Sequence, residues 1–171
     1  GRQRLRRARL ASVPALVRGD IRSLAFRRRP GFALVMAPYG ILESLTKERD
    51  LPATLESVHS VLRRGGTFAV DLVPDLPAWD EYNRRTSLSG ELGRGTRVTL
   101  IESVRQDRAR GLTIFDQEYV ARRGRQRRVH RFSLTFRTLS VPQMCRRLER
   151  AGFEIRAVLG DYQGGPWDAR S

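Results

Sequence analysis

Two short apolar runs on either side of an amphipathic segment constrain the fold of this chain more than any other feature. The runs cover residues 32–37 and 67–73, and neither shows a regular alternation of apolar and polar residues. A continuous apolar run is typical of a strand buried on both faces, as in a parallel sheet covered by helices. Together with an earlier run at 15–19, the order strand, strand, helix, strand predicts an α/β fold.

The segment between the two runs has the pattern of a helix. Apolar residues recur there at helical spacing, namely Leu55, Val58 and Leu62. Pro52 suits the first turn of such a helix, and Gly65 and Gly66 are expected to end it. We interpret these two glycines as turn residues rather than as a cradle for phosphate.

Beyond Pro74 the hydrophobic period changes from continuous runs to alternation. Residues 97–104, 112–122 and 128–137 alternate, with turns expected at 108–111 and 123–125. The alternation is clearest in the third segment, where one face carries His130, Phe132, Leu134 and Phe136. The pattern predicts an antiparallel meander with one face in water.

Further elements are expected at the two ends of the chain. A helix is expected at 3–13, and the strand at 15–19 leads to Asp20. A second helix is expected at 140–151 with Gly152 as its stop, and a last strand at 153–159. Cys145 lies on the apolar face of this second helix, which predicts a core position.

Five short motifs in this order carry a family resemblance. They are residues 19–22, 32–40, 61–68, 148–153 and 160–162. The set resembles the later motifs of the class I S-adenosylmethionine-dependent methyltransferases, and the meander resembles the substrate-covering insertion of the small-molecule enzymes among them. The resemblance implies a partial Rossmann-like methyltransferase sheet with an inserted antiparallel β meander.

The resemblance also implies a division of the chain. Residues 1–75 would form a partial cofactor-binding core, residues 76–139 the insertion on the substrate side, and residues 140–171 a helix and strand that return to the core.

Two features of the family have no counterpart in this sequence. They are the glycine-rich loop after the first strand and the acidic residue that ends the second. The resemblance therefore implies the carboxyl-terminal portion of a longer enzyme, with weak or no cofactor binding by these residues alone. It also implies an open sheet edge, which a missing amino-terminal segment or a second copy of the chain would cover.

The resemblance assigns the cofactor S-adenosyl-L-methionine to the ends of two strands. Asp20 would accept a hydrogen bond from the adenine amino group, and Ile21 would line the ring; the alternative for Asp20 is a turn residue. Ala37 and Pro38 would face the transferred methyl group. Tyr39 is the catalytic candidate, and it either orients the acceptor or caps the strand.

An acceptor pocket is expected from residues of the later segments. The candidates are Trp79, Tyr82, His130, Arg137 and Tyr162. Aromatic side chains are more often packing than ligand contacts, and the position of His130 suits a core histidine equally well. Asp71 lies within a predicted strand, so it either faces the substrate cleft or pairs with an arginine.

Charge leaves a second class of function open. The formal net charge is +15, from 33 basic and 18 acidic residues, and such an excess attracts phosphates. However, Lys47 is the one lysine, and the arginines are dispersed along the chain, which favours solvated faces. A basic nucleic-acid-binding module or a nucleic-acid methyltransferase remains an alternative, as does a noncatalytic methyltransferase-like scaffold.

Cysteine and histidine counts and the distribution of apolar residues bear on metal sites and membrane spans. With one cysteine and two histidines, a zinc-type metal site is not expected. The sequence contains no run of 18 apolar residues, so neither a membrane span nor a membrane partner is expected. Together with these signals, the family resemblance implies a cytoplasmic enzyme that transfers a methyl group from S-adenosylmethionine to a small-molecule acceptor.

Overall fold

A computed structural model describes residues 15–27, 30–73, 79–93 and 95–168. The helix predicted at 3–13 lies outside the described residues. The described elements are β1 (Phe32–Ala37), a 3-10 turn (Ile41–Ser44), α1 (Asp50–Val61), β2 (Leu62–Val70), β3 (Tyr82–Leu92), β4 (Thr96–Asp107), β5 (Leu112–Arg123), β6 (Gln126–Arg137) and α2 (Val141–Arg150).

Strands β1 and β2 form the parallel pair that the two apolar runs predict. Their register runs from Leu34 opposite Thr67 to Ala37 opposite Val70, so both strands end at the same edge. Helix α1 connects them, as the segment between the runs indicated. The prediction that the helix ends at Gly65 is wrong, because α1 ends at Val61 and the glycines lie in an irregular part of β2.

The core lies where the two helices meet the 3-10 turn. Its buried side chains are Leu42, Leu51, Leu55, Leu139, Met144 and Leu148. Helix α2 begins at a capping box, in which Ser140 and Gln143 each accept a hydrogen bond from the other's backbone N–H. Gly152, with φ of 89°, ends the helix as predicted. Cys145 is only half-buried, so the prediction of a core position is too strong.

The antiparallel meander is present and has one more strand than the alternation indicated. Its order is β3-β4-β5-β6, and the turns at 108–111 and around Gly124 are confirmed. The strand that the sequence missed is β3, whose residues are mostly polar and are all exposed apart from the first, Tyr82. An exposed edge strand needs no apolar alternation, so it leaves no periodic signal.

Two predicted strands are wrong. Residues 15–19 have no regular structure and are exposed, and no described strand pairs with them. In the strand predicted at 153–159, residues 153–158 have no regular structure, and Leu159 makes only an isolated antiparallel bridge with Pro166. In both cases the apolar run is present, but a neighbouring strand to accept its hydrogen bonds is absent from the described residues.

The two sheets fall within the predicted segments 1–75 and 76–139, but the three-part division itself stays a prediction. Within the described residues, no helix combines the length and the apolar character needed to cross a membrane. The same part of the chain brings together no three His, Cys, Asp or Glu side chains that could hold a metal ion.

Candidate functional site

A carboxylate joins three segments at the edge where the two parallel strands end. Asp71 directly follows β2, and its Oδ1 accepts a hydrogen bond from the backbone N–H of Gly40, at 2.7 Å. Its Oδ2 accepts one from the hydroxyl of Tyr162, also at 2.7 Å. We call Tyr39, Gly40, Asp71 and Tyr162 the Asp71 cluster. Ligands of open α/β sheets bind at this edge.

The backbone after β1 is tightly turned at this point. Tyr39 and Gly40 both have positive φ, 63° and 60°. Such a conformation is uncommon for a residue with a side chain, and it tends to occur at functional sites. It leaves the Tyr39 side chain 89% exposed. A side chain at residue 40 would have no room, because its Cβ would lie 2.6 Å from Glu43 Oε2.

Tyr162 is held by a braced loop near the end of the described chain. The backbone N–H of Gly160 donates to the carbonyl of Gly165, at 2.9 Å. Asp161 accepts from the N–H groups of Gln163 and Gly165, and these bonds lower the pKa of its carboxyl. The tyrosine is 91% exposed, so its hydroxyl lies at the surface beside Asp71.

The cluster combines an anion with a neutral phenol. Burial alone would raise the pKa of Asp71, but the bonds from Gly40 and Tyr162 outweigh it and hold that pKa below 3.8. The same hydrogen bond and the nearby negative charge raise the pKa of Tyr162 above 10.0. At neutral pH the site therefore presents an ionised carboxylate and a protonated tyrosine.

Asp20 lies in a separate turn that faces the start of α1. Its carboxylate accepts from the Arg22 side chain at 2.7 Å, and Arg22 also reaches Asp50 at 3.1 Å. The Arg22 side chain lowers the pKa of Asp20 to about 2, so Asp20 is an ionised acceptor. Ile21 beside it is 37% exposed. Both residues are accessible to a ligand, and their predicted adenine contacts stay predictions.

Three of the predicted acceptor residues belong to the meander side of the chain. Trp79 packs edge-on against Phe115, with ring centroids 5.3 Å apart. The Tyr82 hydroxyl donates to Glu102 at 2.6 Å. His130 is exposed opposite Tyr119, so it is not a core histidine.

Arg137 makes its hydrogen bonds away from the Asp71 cluster. At the end of β6 its side chain binds Glu48 and the carbonyl of Thr46. Of the predicted site residues, the structure brings Tyr39 and Tyr162 together through Asp71, while Ala37 and Pro38 lead into the same cluster. Within the part of the chain that the structure describes, no hydrogen bond, ion pair or ring contact joins Trp79, Tyr82, His130 or Arg137 to it, and their roles toward an acceptor stay predictions.

The sequence left two features of the cluster unassigned. One is the role of Asp71, whose described partners are a backbone N–H and a phenol rather than an arginine. The other is the backbone donor of Gly40. Gly40, two residues after the proline that follows β1, is a local signal that could have indicated this turn.

Comparisons with known proteins place this geometry in a structural class. No protein-family model matches the chain, and no curated protein sequence matches it. Solved structures do match. One is an S-adenosylmethionine-dependent methyltransferase from Clostridium acetobutylicum, with a TM-score of 0.76 and 16% identity over 98% of this chain.

Two further matches have more specific descriptions. The sugar N-methyltransferase KedS8 from Streptoalloteichus matches with a TM-score of 0.75 and 16% identity over 96% of this chain. CalS10, an amino pentose methyltransferase from Micromonospora echinaspora, matches with a TM-score of 0.61 and 15% identity over 85% of this chain.

The matched region is a smaller share of each of these other chains than of this chain. This chain spans 64% of the Clostridium chain, 63% of KedS8 and 59% of CalS10. At these identities the likeness concerns the fold, and it agrees with the parallel strand pair and the meander. The chain has the fold of the class I S-adenosylmethionine-dependent methyltransferases.

Proposed function

We propose that this chain is part of a methyltransferase that uses S-adenosylmethionine to methylate a small molecule. The observation that carries the proposal is the Asp71 carboxylate, which binds the Gly40 N–H and the Tyr162 hydroxyl at the shared end of two parallel strands. A polar cluster at this edge is what a ligand-binding site of such a sheet requires.

The residues present fit two ends of the cofactor. Asp20 is ionised and accessible, which suits an acceptor for the adenine amino group, and Ile21 offers an exposed apolar side chain beside it. Ala37 and Pro38 lie next to the Asp71 cluster, where the methyl end would lie. When bound, S-adenosylmethionine supplies an electrophilic methyl group on a sulfonium.

The cluster suits an acceptor that carries an N–H or O–H group. The Tyr162 hydroxyl already donates its proton to Asp71, so its oxygen has lone pairs left to accept from the acceptor. Tyr39, highly exposed on the turn beside it, has a phenol that can make a second contact. Two of the structural neighbours are described as a sugar N-methyltransferase and an amino pentose methyltransferase, which supports an amine acceptor.

The negative charge of Asp71 also favours an amine acceptor. When an amine attacks a methyl group, positive charge develops on its nitrogen. An ionised carboxylate held in place beforehand stabilises that charge without reorganisation. The lowered pKa of Asp71 makes it a weak base, so its role is to stabilise charge and to hold Tyr162 in place. Positioning of the acceptor in line with the breaking bond supplies the rest of the rate increase.

A calorimetric titration with S-adenosylmethionine tests the proposal most directly. It is performed on this chain and on the longest natural chain that contains this sequence. We expect weak binding by this chain and tighter binding by the longer one. If neither binds the cofactor, the enzyme proposal is wrong and a noncatalytic scaffold is supported.

A matched pair of variants tests the acceptor side. In the binding-competent chain, Tyr162→Phe should reduce methyl transfer to amino sugars by about tenfold or more, since it removes a positioning contact. Tyr119→Phe removes the same atom from a tyrosine packed against Phe132 in the meander, and it should leave the rate unchanged. Equal effects of the two changes would contradict a role for the Asp71 cluster.

The nucleic-acid alternative is less well supported. Many arginines pair with carboxylates of the chain itself, including Arg22, Arg131 and Arg147. Paired guanidiniums attract phosphates less than free ones do. A mobility shift with generic RNA or DNA at physiological salt would favour that alternative, and its absence would remove it.

A further inference from the structure

An arginine-rich cavity lies on the side of α2 that faces the segment after the 3-10 turn. Its volume is about 560 Å³. Five arginines and one acidic residue, Glu48, line it; the arginines are Arg110, Arg137, Arg146, Arg147 and Arg150. The residues of the Asp71 cluster do not line this cavity, so it is a separate place in the fold.

Arg137 is the buried member of the group. Its side chain is 9% exposed, and its two terminal nitrogens donate to Glu48 Oε2 at 2.8 Å and to the carbonyl of Thr46 at 2.9 Å. Its enclosed Nε has no hydrogen-bond partner among the residues that the structure describes. A guanidinium this buried normally has all of its donors satisfied, so the present arrangement is incomplete.

Glu48 occupies the position that an anionic ligand would take. Its Oε2 binds Arg137, and its Oε1 binds Arg147 Nη1 at 2.6 Å. The bonds from Arg147 and Arg137 lower the pKa of Glu48, so it is ionised. Its side chain is nevertheless 71% exposed, which means that little packing holds it in place. An anion from solution can make the same two contacts.

The charge around the cavity is not balanced by Glu48. Arg110 has a loose ion pair with Asp107, at 3.7 Å. Arg146 and Arg150 are exposed on the last turns of α2, and no ion pair is found for them in the described part of the chain. Arginine forks match the oxygens of phosphate groups in pairs, and several forks around one space suit more than one phosphoryl group.

We propose that this cavity binds a small organic anion bearing two linked phosphoryl groups, and that the anion displaces Glu48 from Arg137 and Arg147. The volume falls within the range of small-molecule sites and exceeds what a single phosphate fills. The proposal does not depend on the methyltransferase assignment, because it uses no residue of the Asp71 cluster and its test does not involve methyl transfer.

The first test is a calorimetric titration of the whole chain with inorganic pyrophosphate. The double variant Arg146→Gln with Arg150→Gln should weaken binding by about three- to tenfold, because two charged donors are lost. The matched control is Arg122→Gln with Arg123→Gln, which removes the same charge from exposed residues at the end of β5. The control should bind pyrophosphate as the parent chain does. An equal loss in both variants would mean attraction by net charge alone, and it would overturn the proposal.

The second test uses the displacement of Glu48. Glu48→Gln removes the competing internal anion, so pyrophosphate should bind several-fold more tightly than to the parent chain. Unchanged or weaker binding would overturn the proposal. A merely structural role of Glu48 predicts loss of binding with loss of stability, so the variant's thermal unfolding is measured alongside.

Comparison of ligands separates the possible sources of the anion. Pyrophosphate should bind more tightly than inorganic phosphate, and citrate should bind less tightly than pyrophosphate despite its similar charge. Preference for citrate would overturn the assignment to phosphoryl groups. Tighter binding of a single-stranded oligonucleotide, weakened equally in both double variants, would identify a nucleic-acid surface and also overturn it.

Discussion

The parallel pair and the antiparallel meander differ in how far the described chain covers their apolar side chains. On β1, Phe32, Leu34 and Met36 are 40%, 50% and 62% exposed. In the centre of the meander, Val104 and Val120 are only 2% and 5% exposed. The apolar run of β1 predicts a strand buried on both faces, but in the structure β1 is more exposed than the centre of the meander.

The difference in exposure follows from where in the sequence the neighbouring strands and covering layers of each sheet come from. An antiparallel meander pairs consecutive strands through short turns, so a short stretch of sequence contains the whole sheet. A parallel strand depends on crossovers and on layers that come from distant parts of a chain. We propose that the exposed face of β1 is covered in the working protein, either by further residues of a longer chain or by a second copy.

The largest effect is expected where the parallel half does have a complete core. Leu55→Ala on α1 removes a side chain that is 1% exposed, and it should lower the free energy of unfolding by about 2–5 kcal/mol. Urea unfolding followed by circular dichroism measures it. Leu88→Ala, at a meander side chain that is 67% exposed, is the control and should change stability by less than about 0.5 kcal/mol. Similar losses at both sites would contradict the packing described here.

Two glycines with the same backbone strain allow a sharper comparison. Gly40 in the Asp71 cluster has φ of 60°, and Gly124 in a meander turn has φ of 55°. A Cβ at Gly40 would meet Glu43 and Val73, at 2.6 and 3.0 Å, whereas a Cβ at Gly124 would meet nothing within 4 Å.

Alanine at either glycine should cost about 1 kcal/mol for the left-handed conformation. At Gly40 the crowding should add about 1–2 kcal/mol more, measured as the difference between the two variants in thermal unfolding. An equal cost at both positions would mean that the turn at the cluster relaxes freely.

The meander shows what local periodicity can predict. Alternation placed β4, β5 and β6 and both of their turns, because each side chain's face is set by its own position in a pleated strand. It missed β3, whose exposed residues carry no alternation. The existence of β3 is determined by its pairing with β4, which a local pattern does not contain.

The failures at 15–19 and 153–158 have the same origin. Both segments are apolar enough to be strands, but a strand forms only where another backbone accepts its hydrogen bonds. Phe153 packs its ring against Phe68 and His59 without joining a sheet. Side-chain burial and strand pairing are separate requirements, and a single sequence indicates only the first.

The candidate site was predictable in part. The family resemblance pointed to Tyr39 and Tyr162, and the structure places both beside Asp71, while their roles stay predictions. The sequence did not decide the role of Asp71, because the hydrogen-bond partners of Asp71 lie 31 and 91 positions away in the sequence. No pattern of neighbouring residues contains contacts at that separation.

A pH series tests whether Asp71 stabilises the fold through its ionised form. Its folded pKa is below 3.8, so its contribution is complete above that value and is lost as the pH falls through the folded pKa. We expect Asp71→Asn to cost about 1 kcal/mol near neutral pH, since a charged acceptor of two hydrogen bonds is lost. The difference from the parent chain should decline as the pH falls below 3.8 and should vanish below the folded pKa of Asp71. Asp80→Asn, at an exposed residue before β3, is the control, and a difference that persists in acid would contradict the assignment.

The smallest effect is expected at the open face itself, and it distinguishes the two ways of covering that face. Met36→Ser and Leu92→Ser change side chains that are 62% and 69% exposed, so in this chain alone each should alter the unfolding free energy by less than about 0.5 kcal/mol.

If a second copy covers β1, the cost of Met36→Ser should grow with protein concentration while that of Leu92→Ser does not. If further residues of a longer chain cover it, the cost should grow only in that longer chain. A Met36→Ser cost that stays small in both settings would mean that the face of β1 is exposed in the working protein, and the contrast between the two sheets would then be a property of the fold itself.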